Sequence, residues 1–263
     1  MIFILSPENL IEIKNLNVSF KTHKGYFTAV NNINLNIYKN EIFALVGESG
    51  SGKSATALSI INLHNKNYTA ISGEIIYQNQ NLLTLTEKEL NKIRNSQISM
   101  VFQDSLLALN PMMKIGPQIE EAFLYHFNMT HAQRQTNAYN LLTKVGLPHS
   151  NYTKLPHQLS GGMRQRVMIA IAIACKPKLI IADEPTTALD VTIQATILDL
   201  LRSIQKETNS SILLITHDLG VVAELADRVC VMYKGKIIET NNVVNLFQNP
   251  QHSYTKNLLN SIL

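Results

Sequence analysis

The stretch Glu41-Ile-Phe-Ala-Leu-Val-Gly-Glu-Ser-Gly-Ser-Gly-Lys-Ser54 decides the fold. Its first half is a nearly continuous apolar run closed by Gly47, the pattern of a strand buried on both faces of a mostly parallel sheet. Its second half, Gly47 to Ser54, fits G-x-x-x-x-G-K-[ST]. In that pattern successive backbone N–H groups wrap phosphate oxygens while the lysine, Lys53, neutralises their charge. Glu48, Ser49, Gly50, Ser51 and Gly52 form the wrapping loop, whose glycines let the backbone approach an anion without a Cβ. Ser54 is placed to present its hydroxyl to Mg²⁺, and the helix opening at Lys53 aims the positive end of its dipole at the same point. A buried strand before the loop and a helix after it distinguish this pattern from an ordinary glycine-rich turn.

Outward from this stretch, the apolar alternation of Leu10 to Phe20 predicts an edge or half-buried strand, and Ala29 to Ile37 predicts another. After the loop come a helix to about Leu63, a strand at Glu74 to Tyr77, a helix at Thr86 to Arg94 and a strand at Ile98 to Phe102. From about Asp104 to Gln158 the apolar spacing turns helical (Ile119, Phe123, Leu124, Phe127, then Ala138, Leu141, Leu142, Val145), which predicts a helical insertion in an α/β core. The buried-strand pattern returns at Leu179 to Ala182. A helix carrying Ile193, Ile197, Leu200, Leu201 and Ile204 follows, then a strand Ile212 to Thr216, another helix, and Val229 to Tyr233.

The strand Leu179 to Ala182 delivers two adjacent carboxylates, Asp183 and Glu184, at its C-terminal end, where ligands collect on a parallel sheet. Asp183 can hold Mg²⁺ and Glu184 can orient and deprotonate an attacking water. The alternative is a solvated acidic pair at a strand exit; a phosphate loop in the same chain weighs toward chemistry. Ser160, an N-cap type residue followed by Gly161 and Gly162, offers a second anion-binding helix start.

Gln103 after a strand, Leu159-Ser-Gly-Gly-Met163 opening a helix, Ala188-Leu-Asp190 after Glu184, and His217 ending the next strand stand in a characteristic order. In that order the chain resembles the ATPase subunits of ABC transporters over essentially its whole length. Pro156 to Arg166, Ala182 to Gln194, Phe102-Gln-Asp104 and Leu109-Asn-Pro111 resemble the dipeptide, oligopeptide and nickel importer branch. The resemblance implies an α/β P-loop NTPase (RecA-like) core with an N-terminal antiparallel β subdomain and an inserted α-helical subdomain. The expected division is a core of 1–103 and 164–240, a helical subdomain of 104–163 and a C-terminal helical tail of 241–263.

The same resemblance implies ATP and Mg²⁺ as cofactors, with Ser54, Gln103 and Asp183 toward the metal and Glu184, His217, Gln103 and Lys53 in hydrolysis. It implies that Ser160, Gly161 and Gly162 close on the ATP held by a second ATPase subunit, identical or not, with Asp190 at the seam. An aromatic ring is expected on the adenine; Phe20 matches the position best and Tyr26 competes, with plain packing an equal reading for both. Leu106, Leu107, Met112 and Met113 after Gln103 are the expected contact with membrane permease subunits, or else pack the insertion. A periplasmic or extracellular solute-binding protein is an indirect partner, and the expected location is peripheral, on the cytoplasmic face of the cell membrane. The implied function is to energise uptake of di- or oligopeptides. Many members of this branch continue past a segment like Asn249-Pro-Gln-His-Ser-Tyr-Thr255 into a cysteine-bearing tail. Without such a tail, nickel or another small solute remains an alternative cargo. A soluble ABC ATPase outside transport is the alternative from another class.

Composition excludes other readings. The 263 residues carry 23 Lys+Arg against 19 Asp+Glu, net +4, with the basic residues scattered, so no nucleic-acid footprint is expected. Charged residues at 16% are lean for a free-floating protein and point to covered surfaces. Cys175 and Cys230 sit in apolar stretches and read as buried small hydrophobes. The longest clear apolar run, Val167 to Cys175, falls short of the roughly 18 residues of a membrane span. The start, Met1 to Leu5, lacks the basic n-region of a secretion signal.

Overall fold

A computed structural model of the chain describes residues 8–187 and 189–260. The start Met1 to Leu5, Ala188 and the last residues of the expected tail, 261–263, lie outside the described residues. In chain order the first elements are β1 (Asn9–Thr22), β2 (Gly25–Tyr38), β3 (Ile42–Val46), α1 (Lys53–Ile60), β4 (Thr69–Tyr77), β5 (Gln80–Asn81) and α2 (Glu87–Ile93). The middle of the chain holds β6 (Ile98–Val101), α3 (Ser105–Ala108), α4 (Ile115–His126), α5 (His131–Lys144), α6 (Gly161–Ile173), β7 (Leu179–Asp183) and α7 (Val191–Thr208). The last elements are β8 (Ser211–Thr216), α8 (Leu219–Leu225), β9 (Arg228–Tyr233), β10 (Lys236–Asn242), α9 (Val243–Gln248) and α10 (Ser253–Asn260).

The chain folds as two compact units, one of residues 1–90 with 211–263 and one of residues 91–210. In the first, β2, β1, β4 and β5 form an antiparallel sheet in that order. β1 is therefore central, not an edge: β2 and β4 flank it, and its alternation buries Ile11, Ile13, Leu16 and Val18 on one face. A parallel set lies in the same unit, with β3 paired to both β8 and β9 and β10 running back against β9. All five residues of β3 are buried, as its unbroken apolar run requires. β10 escapes the sequence reading because Lys236 to Asn242 carries only two apolar residues, the adjacent Ile237 and Ile238, followed by a polar run with no alternation, and all of its residues stay at least partly exposed.

The entry to β3 is pinned electrostatically. The Arg228 guanidinium donates to both oxygens of buried Glu41, at 2.9 and 3.1 Å, and lies over the rings of Tyr38 and Phe43. Burial pushes the Glu41 carboxyl above its ordinary value, although Arg228 and the Tyr38 N–H pull it down. Asp227 accepts the Ile42 N–H at 2.8 Å. Ala44 and Val46 of β3 share an apolar cluster with Leu219, Val222, Val229, Val231, Val243 and Leu246, and Tyr254 and Leu258 of α10 pack on its margin.

In the second unit β6 and β7 pair in parallel, Val101 opposite Ala182. The helices are cut by their caps. Thr130 and Gln133 form a capping box at the start of α5, Ser160 caps α6, Asp190 caps α7, and Asn209 ends α7 in the left-handed conformation at φ 50°. Both cysteines are free and buried. Among the described residues no helix is long and apolar enough to cross a membrane.

Candidate functional site

The anion loop is built where β3 runs out. Gly47 has φ +153°, and a Cβ there would stand 2.1 Å from the Met232 carbonyl oxygen. Gly52 has φ +110°, and its Cβ would meet the Ala29 carbonyl oxygen at 2.4 Å. The loop thus lies directly on the backbone of β2 and β9, in a path that side chains would block. Lys53 is buried, and its Nζ donates to the carbonyls of Gly47 at 2.7 Å and Glu48 at 2.9 Å, lying across the loop. The Ser51 carbonyl accepts from the Gly235 N–H at 2.9 Å.

Two features of this loop fit a phosphate group. The Ser51 hydroxyl is buried without a hydrogen-bond partner among the described residues, which for an ordinary packed serine is unfavourable by about 1–3 kcal/mol. The eight-residue helix α1 begins after Gly52 with no side-chain cap, so the positive end of its dipole is presented at the loop.

Strand register carries His217 to the same edge of the unit. Val46 pairs with Thr216, so Gly47 and His217 leave β3 and β8 side by side. Asp218 then caps α8 by accepting from the Gly220 and Val221 N–H groups, turning the chain immediately after the exposed imidazole. Phe20 is half-buried in β1, its ring 5.7 Å from that of His64. The His64 Nε2 in turn contacts the Ser59 hydroxyl and the Ala55 carbonyl of α1. Tyr26 lies in the β1–β2 hairpin and is 65% exposed.

The second unit assembles the carboxylates. Asp183 ends β7, buried, and Glu184 follows with φ 46°, a left-handed conformation that strains a non-glycine residue by about 1 kcal/mol. Gln103, two residues beyond the β6 partner of Ala182, donates from Nε2 to Glu184 Oε2 at 2.9 Å. The Thr187 hydroxyl donates to the same oxygen at 2.8 Å. Sequence reasoning missed Thr187; the signal for it is a hydroxyl in the turn whose Thr187 N–H returns to the Glu184 carbonyl at 3.2 Å.

At the start of α6 the Ser160 hydroxyl accepts the Met163 N–H at 3.3 Å. A Cβ on Gly162 would stand 2.5 Å from Cγ2 of Ile193, whose N–H is held by Asp190 at 3.0 Å. Glycine at 162 therefore lets the first turn of α6 approach the first turn of α7. After Gln103, Leu106, Leu107 and Met112 are 52%, 84% and 88% exposed, while Met113 is only partly so.

All the site residues expected from the sequence lie among the described ones. The fold brings Gln103 and Glu184 into direct contact. It sets the anion loop beside His217 and gives Phe20, rather than Tyr26, a packed ring partner.

The family model for ABC transporters matches residues 30–187. The chain is 51% identical to the oligopeptide transport ATP-binding protein OppD of Lactococcus lactis subsp. cremoris (strain SK11), over 98% of this chain and 77% of that one. It is 48% identical to the dipeptide transport ATP-binding protein DppD of Bacillus subtilis (strain 168), over 97% and 77%. Among solved structures, the dimeric post-hydrolysis state of the ATP-binding cassette MJ0796 bound to ADP and Pi superposes with TM-score 0.80 at 31% identity, covering 89% of this chain and 98% of that one. The buried strand, glycine loop and helix, the antiparallel β sheet and the helical segments are those of an ABC-type P-loop cassette, and the chain belongs to the ABC transporter family as an ATP-binding, ATP-hydrolysing member.

Proposed function

We propose that this chain is the subunit that hydrolyses ATP to drive uptake of di- or oligopeptides through a separate membrane permease. The observation that carries the reading is its likeness, over nearly its whole length, to ATP-binding proteins of oligopeptide and dipeptide transport. On this reading the chain works at the cytoplasmic face of the membrane. Its partners are permease subunits, a second ATPase subunit and, indirectly, a solute-binding protein. The exposed Leu106, Leu107 and Met112 supply an apolar contact for the permease next to Gln103, and residues 104–163 act as the helical subdomain.

The residues divide the work. The amides of Gly47 to Ser54 and the Lys53 ammonium hold the phosphates; Lys53 trades its two loop carbonyls for phosphate oxygens, a stronger charge-assisted partner. On this reading Ser54, Asp183 and the amide oxygen of Gln103 would each offer Mg²⁺ a hard oxygen ligand. A Mg²⁺ bound by these residues would supply positive charge to balance that developing on the phosphates. Glu184 accepts a proton from the attacking water, and the Gln103 and Thr187 donors fix the orientation of its carboxylate. His217 faces the γ-phosphate from the edge where Gly47 begins. Ser160 and the amides of Gly161 and Gly162 cover the ATP of the partner subunit, and Phe20 stacks on adenine.

Glu184→Gln in the assembled transporter tests this reading. ATP affinity stays near wild type while turnover falls by roughly 10²–10⁴-fold, the usual contribution of a general base. Turnover near the wild-type rate would overturn the role of Glu184. Loss of peptide uptake with ATP turnover intact in the wild-type complex would overturn the cargo.

A further inference from the structure

We propose that Tyr254, on the C-terminal helix α10, is a positioning residue for the phosphate loop. The inference rests on the ATPase reading and adds a part to it that no motif of the core supplies. The backbone N–H of Glu48, the second residue of the loop, donates to the Tyr254 hydroxyl at 3.2 Å. The Glu48 carbonyl accepts from Lys53 Nζ at 2.9 Å. One residue of the loop is therefore pinned at both ends, by the lysine that meets phosphate and by a tyrosine from the end of the chain.

The tyrosine is itself held firmly. Its ring packs on Tyr233 with centroids 4.2 Å apart and planes 32° from parallel. Tyr233 ends β9, and the turn after it contributes the Gly235 N–H that holds the Ser51 carbonyl at 2.9 Å. The segment leading into α10 is clamped by Glu239 of β10, whose carboxylate accepts the Gln251 and His252 N–H groups at 2.8 and 3.0 Å. The Tyr254 N–H bonds His252 Nδ1 at 3.1 Å. Burial, and after it the Glu48 carboxylate, raise the pKa of the Tyr254 phenol above its ordinary value despite the opposing Glu48 N–H, so the hydroxyl keeps its proton. Tyr254 also packs on the cluster that contains Val46, the residue just before the loop.

This arrangement gives α10 a defined task. Anion binding by a loop depends on amides already pointing inward, because any ordering left to the moment of binding weakens affinity. A hydrogen bond to the Glu48 peptide removes one rotation from the loop without touching nucleotide. Tyr254 thus acts on ATP through the Glu48 peptide and the loop it orders.

The test is Tyr254→Phe in the full-length chain, which keeps the ring stack and removes only the hydroxyl. Measured are the Kd of a fluorescent ATP analogue, KM and kcat for Mg-ATP, and the melting temperature without nucleotide. Loss of one neutral hydrogen bond predicts a rise in Kd and KM of roughly 3- to 10-fold, with kcat falling less than KM rises and the nucleotide-free melting temperature unchanged. Tyr254→Ala, which also removes the stack, adds a fall in melting temperature to at least the same rise in Kd. Kd and KM within twofold of wild type in Tyr254→Phe would overturn the proposal. So would a rise in Kd accompanied by an equal loss of melting temperature in that variant, since a purely structural tyrosine behaves that way. Wild-type protein that binds no nucleotide would instead overturn the ATPase reading beneath it.

Discussion

Gly162→Ala should separate activity from stability in an unusual direction. The added Cβ would stand 2.5 Å from Cγ2 of Ile193. Ordinary carbon contacts lie at about 3.5–4.0 Å, so the first turns of α6 and α7 must part by about 1 Å. Overpacking of this kind costs about 1–3 kcal/mol, and replacing a helical glycine by alanine returns up to about 1 kcal/mol, leaving a net loss of roughly 0–2 kcal/mol. For a chain of this size that is a fall in Tm of a few degrees. Activity suffers more, because the displaced turn carries Ser160 and its amides, and a misplacement near 1 Å lowers turnover by about 10²-fold. Ile193→Ala deletes the offending methyl group. Ile193 is half-buried, so that change lowers stability by about 1–2 kcal/mol, below the range for fully buried sites. The double variant Gly162→Ala/Ile193→Ala is therefore expected to melt no lower than Gly162→Ala, because relief of the clash offsets the lost burial of Ile193, and to hydrolyse ATP at least about tenfold faster, since the first turn of α6 returns to its place. ATP turnover of the assembled transporter and thermal melts of all four proteins decide the matter. Turnover of the double variant equal to or below that of Gly162→Ala would refute the steric argument and leave the contact with Ile193 irrelevant to function.

Thr187→Val removes one of the two donors on Glu184 Oε2 and is expected to lower kcat by about 3- to 10-fold with little change in KM, measured by steady-state ATP hydrolysis. Phe20→Ala should raise KM for ATP by about 5- to 100-fold if its ring stacks on adenine, whereas Tyr26→Ala, at an exposed site, should leave KM within about twofold. Burial pushes the thiols of Cys175 and Cys230 up to about 11 and about 12, so a maleimide at pH 7.5 should label neither in the native protein and both in denaturant, followed by mass spectrometry. Burial raises the Glu239 carboxyl, but the nearby Thr255 hydroxyl and the Gln251 and His252 N–H groups it accepts hold it below its ordinary value. Such a group contributes stability above the usual carboxylate range that is lost as pH falls through its folded value. Urea unfolding should therefore show an acid limb below about pH 4.5 that Glu239→Gln makes shallower.

The elements that carry chemistry were legible where one residue type had one physical use. Gly47 and Gly52 are glycine because backbone oxygens stand where a Cβ would go, and the loop pattern could be read without knowing whose oxygens they are. β3 and β7 were legible because burial on both faces leaves no room for alternation. The central place of β1 was not, since half-burial looks the same on an edge strand as on an inner one. Nor was β10, whose residues earn their place by pairing with β9 rather than by burial. The hydrogen bond from Gln103 to Glu184 spans 81 positions, and that from Glu48 to Tyr254 spans 206. Contacts of that range leave no local pattern, so Tyr254 became visible only with the chain folded, whereas Thr187 stands three residues from Glu184, within reach of a turn reading.

The two compact units also divide the chemistry. Lys53, the loop amides, Phe20, His217 and Tyr254 belong to the first, and Gln103, Asp183, Glu184, Thr187 and Ser160 to the second. On the proposed function, residues of the first would act chiefly on the nucleotide as bound, through phosphate charge, loop order and the adenine face. On the same proposal, Glu184 and its two donors would act on the water, which is not part of the bound ground state. An interaction made only as the reaction proceeds lowers kcat when removed, and one present throughout raises KM. The perturbations proposed for Phe20 and Tyr254 should accordingly move KM, and those for Glu184 and Thr187 should move kcat. A substitution in the Gln103–Glu184–Thr187 group that raised KM without lowering kcat would break this division, because it would mean that the carboxylate is already committed to the nucleotide before the water is attacked.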